Sequence, residues 1–240
     1  MTSVAAGTSL PAHAAVPMHD TPDPLAFTAA GYPAFFDQAP TLTVRDMLAQ
    51  FLGTARDGLF TYHYLDAVRL AGHSCPTVAG AWLMVTRGLR ALYERDIPER
   101  GNIDVMMRDE RTAGTTGVIA AIATLLTGAA AETGFHGIGP QQRFSRQNLL
   151  HYDVSALGGT LALRRRDTGS IVQITLDSSQ IPAAHPDLPT LMPKAISGQA
   201  TPAEMQRFGQ IWQEKVRALL IDHANDDNLI QIRPCLPQSG

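Results

Sequence analysis

The segment that follows Pro76 constrains the fold more than any other part of the chain. Its apolar side chains recur at the spacing of one helix face, at Val78, Trp82, Val85, Leu89 and Leu92. Proline suits the first position of a helix, because the backbone N–H that it lacks would have no partner there. We therefore predict a helix that begins directly after Cys75 and buries one face in a core.

A second predicted helix, over residues 115–127, contains no charged side chain. The apolar stretch to which it belongs, residues 118–131, is interrupted by threonine and glycine and is shorter than the roughly 20 residues that cross a bilayer. We predict that this helix is covered on most sides or packs against a second subunit, and that the protein does not enter a membrane.

Strand patterns alternate with these helices without a regular repeat. Ile103–Met107 predicts one strand, residues 160–163 and Ile171–Leu176 predict a hairpin, and residues 229–232 predict a short final strand. Residues 59–65 fit a strand and a helix about equally well. The expected class is α+β, with a mixed or antiparallel sheet and packed helices in a single main domain.

Three further segments carry local signals. Thr43, with Asp46 three residues later, predicts the start of a helix that ends near Gly53. A capping box at residues 201–204 predicts a C-terminal helix. The proline-rich residues 182–193 before it predict an extended connection.

Composition limits the partners and the compartment. A chain of 240 residues, 45% of them hydrophobic, can bury one large core, which we place at residues 41–235, with a partly flexible N-terminal arm at residues 1–40. Because 19 Lys and Arg residues face 22 Asp and Glu residues, no basic surface for nucleic acid is predicted. Cys75 and Cys235 are the only cysteines and follow no secretory signal, which indicates a cytoplasmic protein without disulfides.

The most distinctive short sequence is Gly-His-Ser-Cys-Pro at residues 72–76, which we call the corner. Free N–H groups at a helix N-terminus favour the thiolate of Cys75, and sulfur together with the imidazole of His73 suits zinc or a similar transition ion. Two ligands are fewer than the four of a structural zinc site. In the alternative interpretation, Cys75 is a small core side chain and His73 is a hydrogen-bonded loop residue.

Other polar residues are candidates for the same or a separate site. His63, His136 and His151 are each a candidate third ligand or proton carrier, and each also fits a solvated or capping role. The arginines within residues 143–146 and 164–166 are candidates for binding an anionic substrate. The second group also fits a solvated strand face.

The corner and the helix after it resemble the signature of the FmdE-like family, which takes its name from a component of formylmethanofuran dehydrogenase. Weaker similarities extend from residue 59 to residue 174. The resemblance implies an α+β core, a homodimer, and a transition metal ion, preferably zinc, held by His73 and Cys75. Many members have a further histidine where this chain has Ala71. Many also have a cysteine in the segment that corresponds to residues 111–116.

These departures argue against a cysteine-pair redox mechanism, and the lack of clustered C-terminal cysteines argues against a second zinc site. Three functions remain open. An ion at His73 and Cys75 with an open coordination position could serve an enzyme acting on a small molecule. The protein could instead be a non-catalytic metal carrier or accessory subunit. In the third, Cys75 is a nucleophile and His73 its base, without metal.

Overall fold

The computed structural model describes residues 25–235 and has the α+β architecture that the sequence predicts. Its strands are β1 (Leu42–Asp46), β2 (Leu59–Tyr62), β3 (Glu99–Arg100), β4 (Ile103–Met107), β5 (Leu150–His151), β6 (Leu161–Arg165), β7 (Ile171–Leu176) and β8 (Ile230–Cys235). Its α-helices are α1 (Met47–Phe51), α2 (Tyr64–Ala71), α3 (Pro76–Tyr93), α4 (Thr116–Thr127), α5 (Leu188–Ile196) and α6 (Pro202–Arg217). A π-helical turn, Ala218–Asp222, continues α6.

The strands form two sheets, and both are mixed. The smaller sheet has the order β2-β1-β3, in which β1 runs antiparallel to β2 and parallel to β3. The larger sheet has the order β5-β4-β6-β7-β8, in which β4 and β5 are parallel and the other neighbours are antiparallel. The hairpin predicted from residues 160–163 and Ile171–Leu176 is therefore confirmed as β6 and β7, and the final strand as β8.

Helix α3 lies at the centre of the core, as its apolar spacing predicts. Trp82, Leu83 and Leu89 on this helix are fully buried. At Gly88 the helix comes so close to the larger sheet that an added Cβ would lie 2.7 Å from Cδ1 of Ile174. A side chain at this position would therefore separate the helix from the sheet.

The uncharged helix α4 is covered mainly by its own chain. Ile122 and Leu126 are fully buried, and the helix packs against α3. Its predicted coverage is confirmed, and the observed helix starts at Thr116, one residue after the predicted boundary. Among residues 25–235, no helix is both long enough and apolar enough to span a membrane.

The helix predicted to start at Thr43 is wrong in its first turn. Residues 42–46 form β1 instead, with alternately buried and exposed side chains, and α1 begins only at Met47. The true N-terminal cap is Asp46, whose Oδ1 accepts hydrogen bonds from the backbone N–H groups of Leu48 and Ala49. The period-2 burial of β1 overrode the capping signal at Thr43.

The extended connection predicted for residues 182–193 is also wrong in part, because its second half lies in α5. Pro189 lies in the first turn of α5, where its missing N–H is not needed, and Pro193 lies inside the helix. Leu188 and Leu191 of this helix are buried together with Ile211 of α6 in a small separate cluster. This packing stabilises the helix despite the proline in its interior.

The segment before residue 41 contributes to the core. Phe35 is 1% exposed and Phe36 is 3% exposed, and the ring of Phe36 packs edge-on against Tyr64. Trp82 donates a hydrogen bond from Nε1 to the carbonyl of Pro40 over 2.8 Å. Part of the segment assigned to an arm therefore packs with the main domain, whereas residues 1–24 of that segment lie outside the described range.

Candidate functional site

The corner is the tight connection between α2 and α3. Helix α2 ends at Gly72, which adopts the left-handed conformation with φ of 75° and donates its N–H to the carbonyl of Val68. Glycine suits this position, because a Cβ is strained at such a backbone angle. Cys75 is the N-terminal cap residue of α3, in extended conformation, and its carbonyl accepts the N–H of Ala79 over 3.0 Å.

Three side chains from α2 and α6 hold the corner at Ser74. The hydroxyls of Tyr64 and Ser74 lie 2.9 Å apart. Nε1 of Trp212 and Nε2 of Gln213 both donate to the carbonyl of Ser74, over 3.1 and 3.2 Å. Burial raises the pKa of Tyr64 well above its ordinary range, so this phenol stays neutral. The corner is therefore fixed in place by groups that the sequence pattern did not identify.

His73 is exposed and has a defined tautomer. Its Nδ1 lies 2.9 Å from the carbonyl oxygen of Ala71. A carbonyl oxygen only accepts hydrogen bonds, so Nδ1 must carry the proton, and in the neutral ring Nε2 keeps a free lone pair. Metal-binding histidines commonly donate their second ring N–H to a backbone carbonyl in this way, which orients the ring and fixes the ligating nitrogen.

Cys75 is a half-buried free thiol that packs against the main core. Its surroundings partly match the alternative interpretation, in which it fills space as a small apolar residue. It is not fully enclosed, however, and it lies at the end of α3 where unpaired backbone N–H groups favour an anion.

The other predicted histidine ligands are dispersed and exposed. His63 precedes α2, and its backbone N–H donates to Oδ2 of Asp66 over 2.9 Å, as part of a helix cap. His136 lies in the loop between α4 and β5. His151 lies on β5, in register with Met106 of β4.

Within the described range, no three His, Cys, Asp or Glu side chains are grouped so that they could hold a metal ion. His63, His136 and His151 are thus not assembled around the corner. The donors at the corner, one imidazole and one thiol, do not fit a closed structural zinc site, which takes four protein ligands. Their chemistry does fit a transition ion whose remaining positions are filled by water or by an external ligand.

A mainly apolar cavity of about 630 Å³ adjoins the corner. Tyr32, Phe36 and Val68 form part of its wall, Ser74 and Gln213 reach it from the corner side, and Gly209 of α6 faces it. None of its described lining residues is charged. An added Cβ at Gly209 would meet nothing within 4 Å, so this helical glycine leaves open space in the cavity.

No protein-family model matches the chain, and no curated protein matches it. A structural search finds similarity to a tungsten formylmethanofuran dehydrogenase FmdE-like protein from Syntrophus aciditrophicus. The two chains share 16% sequence identity, the match covers 72% of each chain, and the TM-score is 0.36. At this level the superposition supports no inference about function or about site residues.

Proposed function

We propose that the protein binds a transition metal ion, preferably zinc, at the corner through Nε2 of His73 and Sγ of Cys75. The observation that carries the proposal is the bond between Nδ1 of His73 and the carbonyl of Ala71, because it leaves Nε2 as the free donor. The Gly-His-x-Cys-Pro resemblance points to the same two residues. The contacts to Ser74 support it further, because they hold the backbone between the two donors in one conformation.

Two protein ligands favour an ion that keeps open coordination positions. Such an ion supplies Lewis-acid chemistry when it is bound. The uncharged cavity beside Ser74 offers space for a small, partly apolar molecule next to these positions. This arrangement suits a metal-dependent enzyme acting on a small molecule, and it equally suits a carrier that releases its ion.

Metal content of the untagged protein, purified without chelator and measured by plasma mass spectrometry, tests the proposal. We expect near-stoichiometric metal in the parent protein and its loss in His73→Ala and Cys75→Ser. The matched controls are His185→Ala and Cys235→Ser, which remove the same side-chain types elsewhere and should leave the metal content unchanged. A parent protein that stays metal-free after incubation with zinc, or metal that survives both corner substitutions, contradicts the proposal.

The three dispersed histidines are tested in the same assay. If the corner alone supplies the protein ligands, His63→Ala, His136→Ala and His151→Ala retain the parent metal content. Loss of metal in one of these variants would identify a third ligand that a conformational change brings to the corner.

The predicted homodimer and the predicted cytoplasmic location belong to the same proposal. Both cysteines are free thiols, and a reducing compartment keeps Cys75 available as a ligand. A second copy of the chain would be one source of donors for the open positions. Light scattering on the zinc-loaded and zinc-free protein measures the subunit number, and a monomer in both states contradicts the dimer.

A further inference from the structure

A polar cavity of about 620 Å³ lies apart from the residues that form the corner. Its wall consists of β3 with the following turn, the loop that precedes β5, and the turn between β6 and β7. We call it the arginine cavity, because the described side chains lining it include Arg100, Arg143, Arg146 and Arg166, and Glu99 is the acidic one among them. The chain as a whole has a net charge of −3, so this concentration of positive charge is local.

Arg146 forms the buried base of this charge. The residue is 7% exposed, and its Nη2 donates to Oδ1 of Asp46 over 2.7 Å. Its Nη1 is buried and has no hydrogen-bond partner among residues 25–235. A Cβ at Gly101 would coincide with Nη1, so the guanidinium occupies space that only a glycine leaves free.

The buried carboxylate of Asp46 cannot neutralise all of these groups. Its Oδ2 already accepts a hydrogen bond from Nη1 of Arg100 over 2.7 Å, so one negative charge is shared by two guanidinium groups. Glu99 offsets part of the remaining charge on Arg146. Arg143 and Arg166 then add positive charge at the cavity wall. A buried or partly buried charge without a counter-ion destabilises a fold, and a bound anion would relieve this imbalance.

The two outer arginines have donors that can reach a ligand. Arg143 is exposed, and its guanidinium carbon lies 4.8 Å from the ring centre of Phe144, which orients the group. Arg166 has a side chain that is 48% exposed and lies 3.6 Å from Asp104 through Nε. Planar guanidinium groups match the oxygen pairs of carboxylates and phosphates.

We propose that the arginine cavity binds a small oxyanion, a carboxylate or phosphate group, with Arg143 and Arg166 making direct contacts and Arg100 and Arg146 supplying buried positive charge. This site is separate from the metal site proposed at the corner and does not depend on it. The arginines in residues 143–146 and 164–166 thereby divide: Arg164 pairs with Asp104 over 2.8 Å, whereas Arg166 faces the cavity.

NMR titration of ¹⁵N-labelled protein with inorganic phosphate, and separately with acetate, tests the proposal. Sodium chloride at matched ionic strength is the reference. We expect saturable shifts of backbone amides in residues 99–102 and 141–148. The double substitution Arg143→Gln and Arg166→Gln should weaken binding by about tenfold or more, because it removes two charge-assisted contacts.

The matched control is the double substitution Arg69→Gln and Arg108→Gln, which removes two arginines outside the cavity whose side chains are 68% and 44% exposed. It should leave the anion affinity unchanged. Saturation by phosphate alone assigns the site to a phosphate group, and saturation by acetate alone assigns it to a carboxylate. Shifts that follow ionic strength only, or equal affinity in the cavity variant and the parent, would overturn the proposal.

Discussion

Arg146 donates a hydrogen bond to Asp46 across 2.7 Å, although 100 residues separate the two in the chain. The contact joins the loop before β5 to the junction between β1 and α1. The exposed fractions of the two side chains are 9% and 5%, so water cannot replace either partner. Asp46 thus caps α1 and neutralises a buried arginine with one carboxylate.

Substituting Asp46→Asn should lower the free energy of unfolding by about 3–5 kcal/mol, because it leaves a buried guanidinium without its counter-ion. Urea denaturation followed by circular dichroism measures the change. Asp109→Asn is the control, since its pair with Arg108 is nearly half exposed on both sides, and it should cost below about 1 kcal/mol. Equal losses in the two variants would show that the Asp46 pair is no stronger than a surface pair.

The same carboxylate predicts a pH dependence of stability. Burial by itself would raise the pKa of Asp46, but the hydrogen bond from Arg100 and the charge of Arg146 outweigh it and lower the pKa below its ordinary value of 3.8. A depressed pKa in the folded state stabilises the protein above the unfolded value, and this stabilisation is lost as the pH falls through the folded value.

We therefore expect the free energy of unfolding to fall as the pH drops below about 4. Urea denaturation at a series of pH values in this acidic range measures it. Asp46→Asn should show a shallower fall, because the variant lacks the group that binds the proton. An identical acid dependence in variant and parent would assign the effect to other carboxylates.

Phe35→Ala should lower the free energy of unfolding by about 3–5 kcal/mol, because the ring is 1% exposed and its loss leaves a cavity in the main core. Phe27→Ala is the control from the same segment, since Phe27 is 71% exposed and should change stability by about 0.5 kcal/mol at most. If both variants unfold like the parent, residues before 41 do not belong to the folded core.

Two glycines in helices should respond to alanine with opposite signs. Gly209→Ala should raise the free energy of unfolding by about 0.5–1 kcal/mol, because the new methyl group meets open space and alanine restricts the unfolded chain. Gly88→Ala should lower it by about 1–3 kcal/mol, because the methyl group would overlap Ile174. Thermal unfolding of both variants tests the pair, and a stabilised Gly88→Ala would contradict the close packing of α3 on the sheet.

Elements with strong local periodicity could be predicted from the sequence. The helix after Pro76 has its apolar spacing and its first-turn proline within one continuous segment, and the hairpin of β6 and β7 has its turn residues between two strand patterns. Local signals were misleading where they competed with long-range packing. Thr43 has the chemistry of a helix cap, but pairing with β2 and β3 places it in a strand.

The amino-acid sequence by itself determined the α+β class, the main helices and the Gly-His-Ser-Cys-Pro corner, because each depends on residues that are close together in the chain. Only the tertiary structure decided that Trp212 and Gln213 hold Ser74, that His63, His136 and His151 lie apart, and that Asp46 meets two distant arginines. These relationships join residues tens to more than a hundred positions apart. No local pattern encodes such distances, since they are set by how the helices and sheets pack.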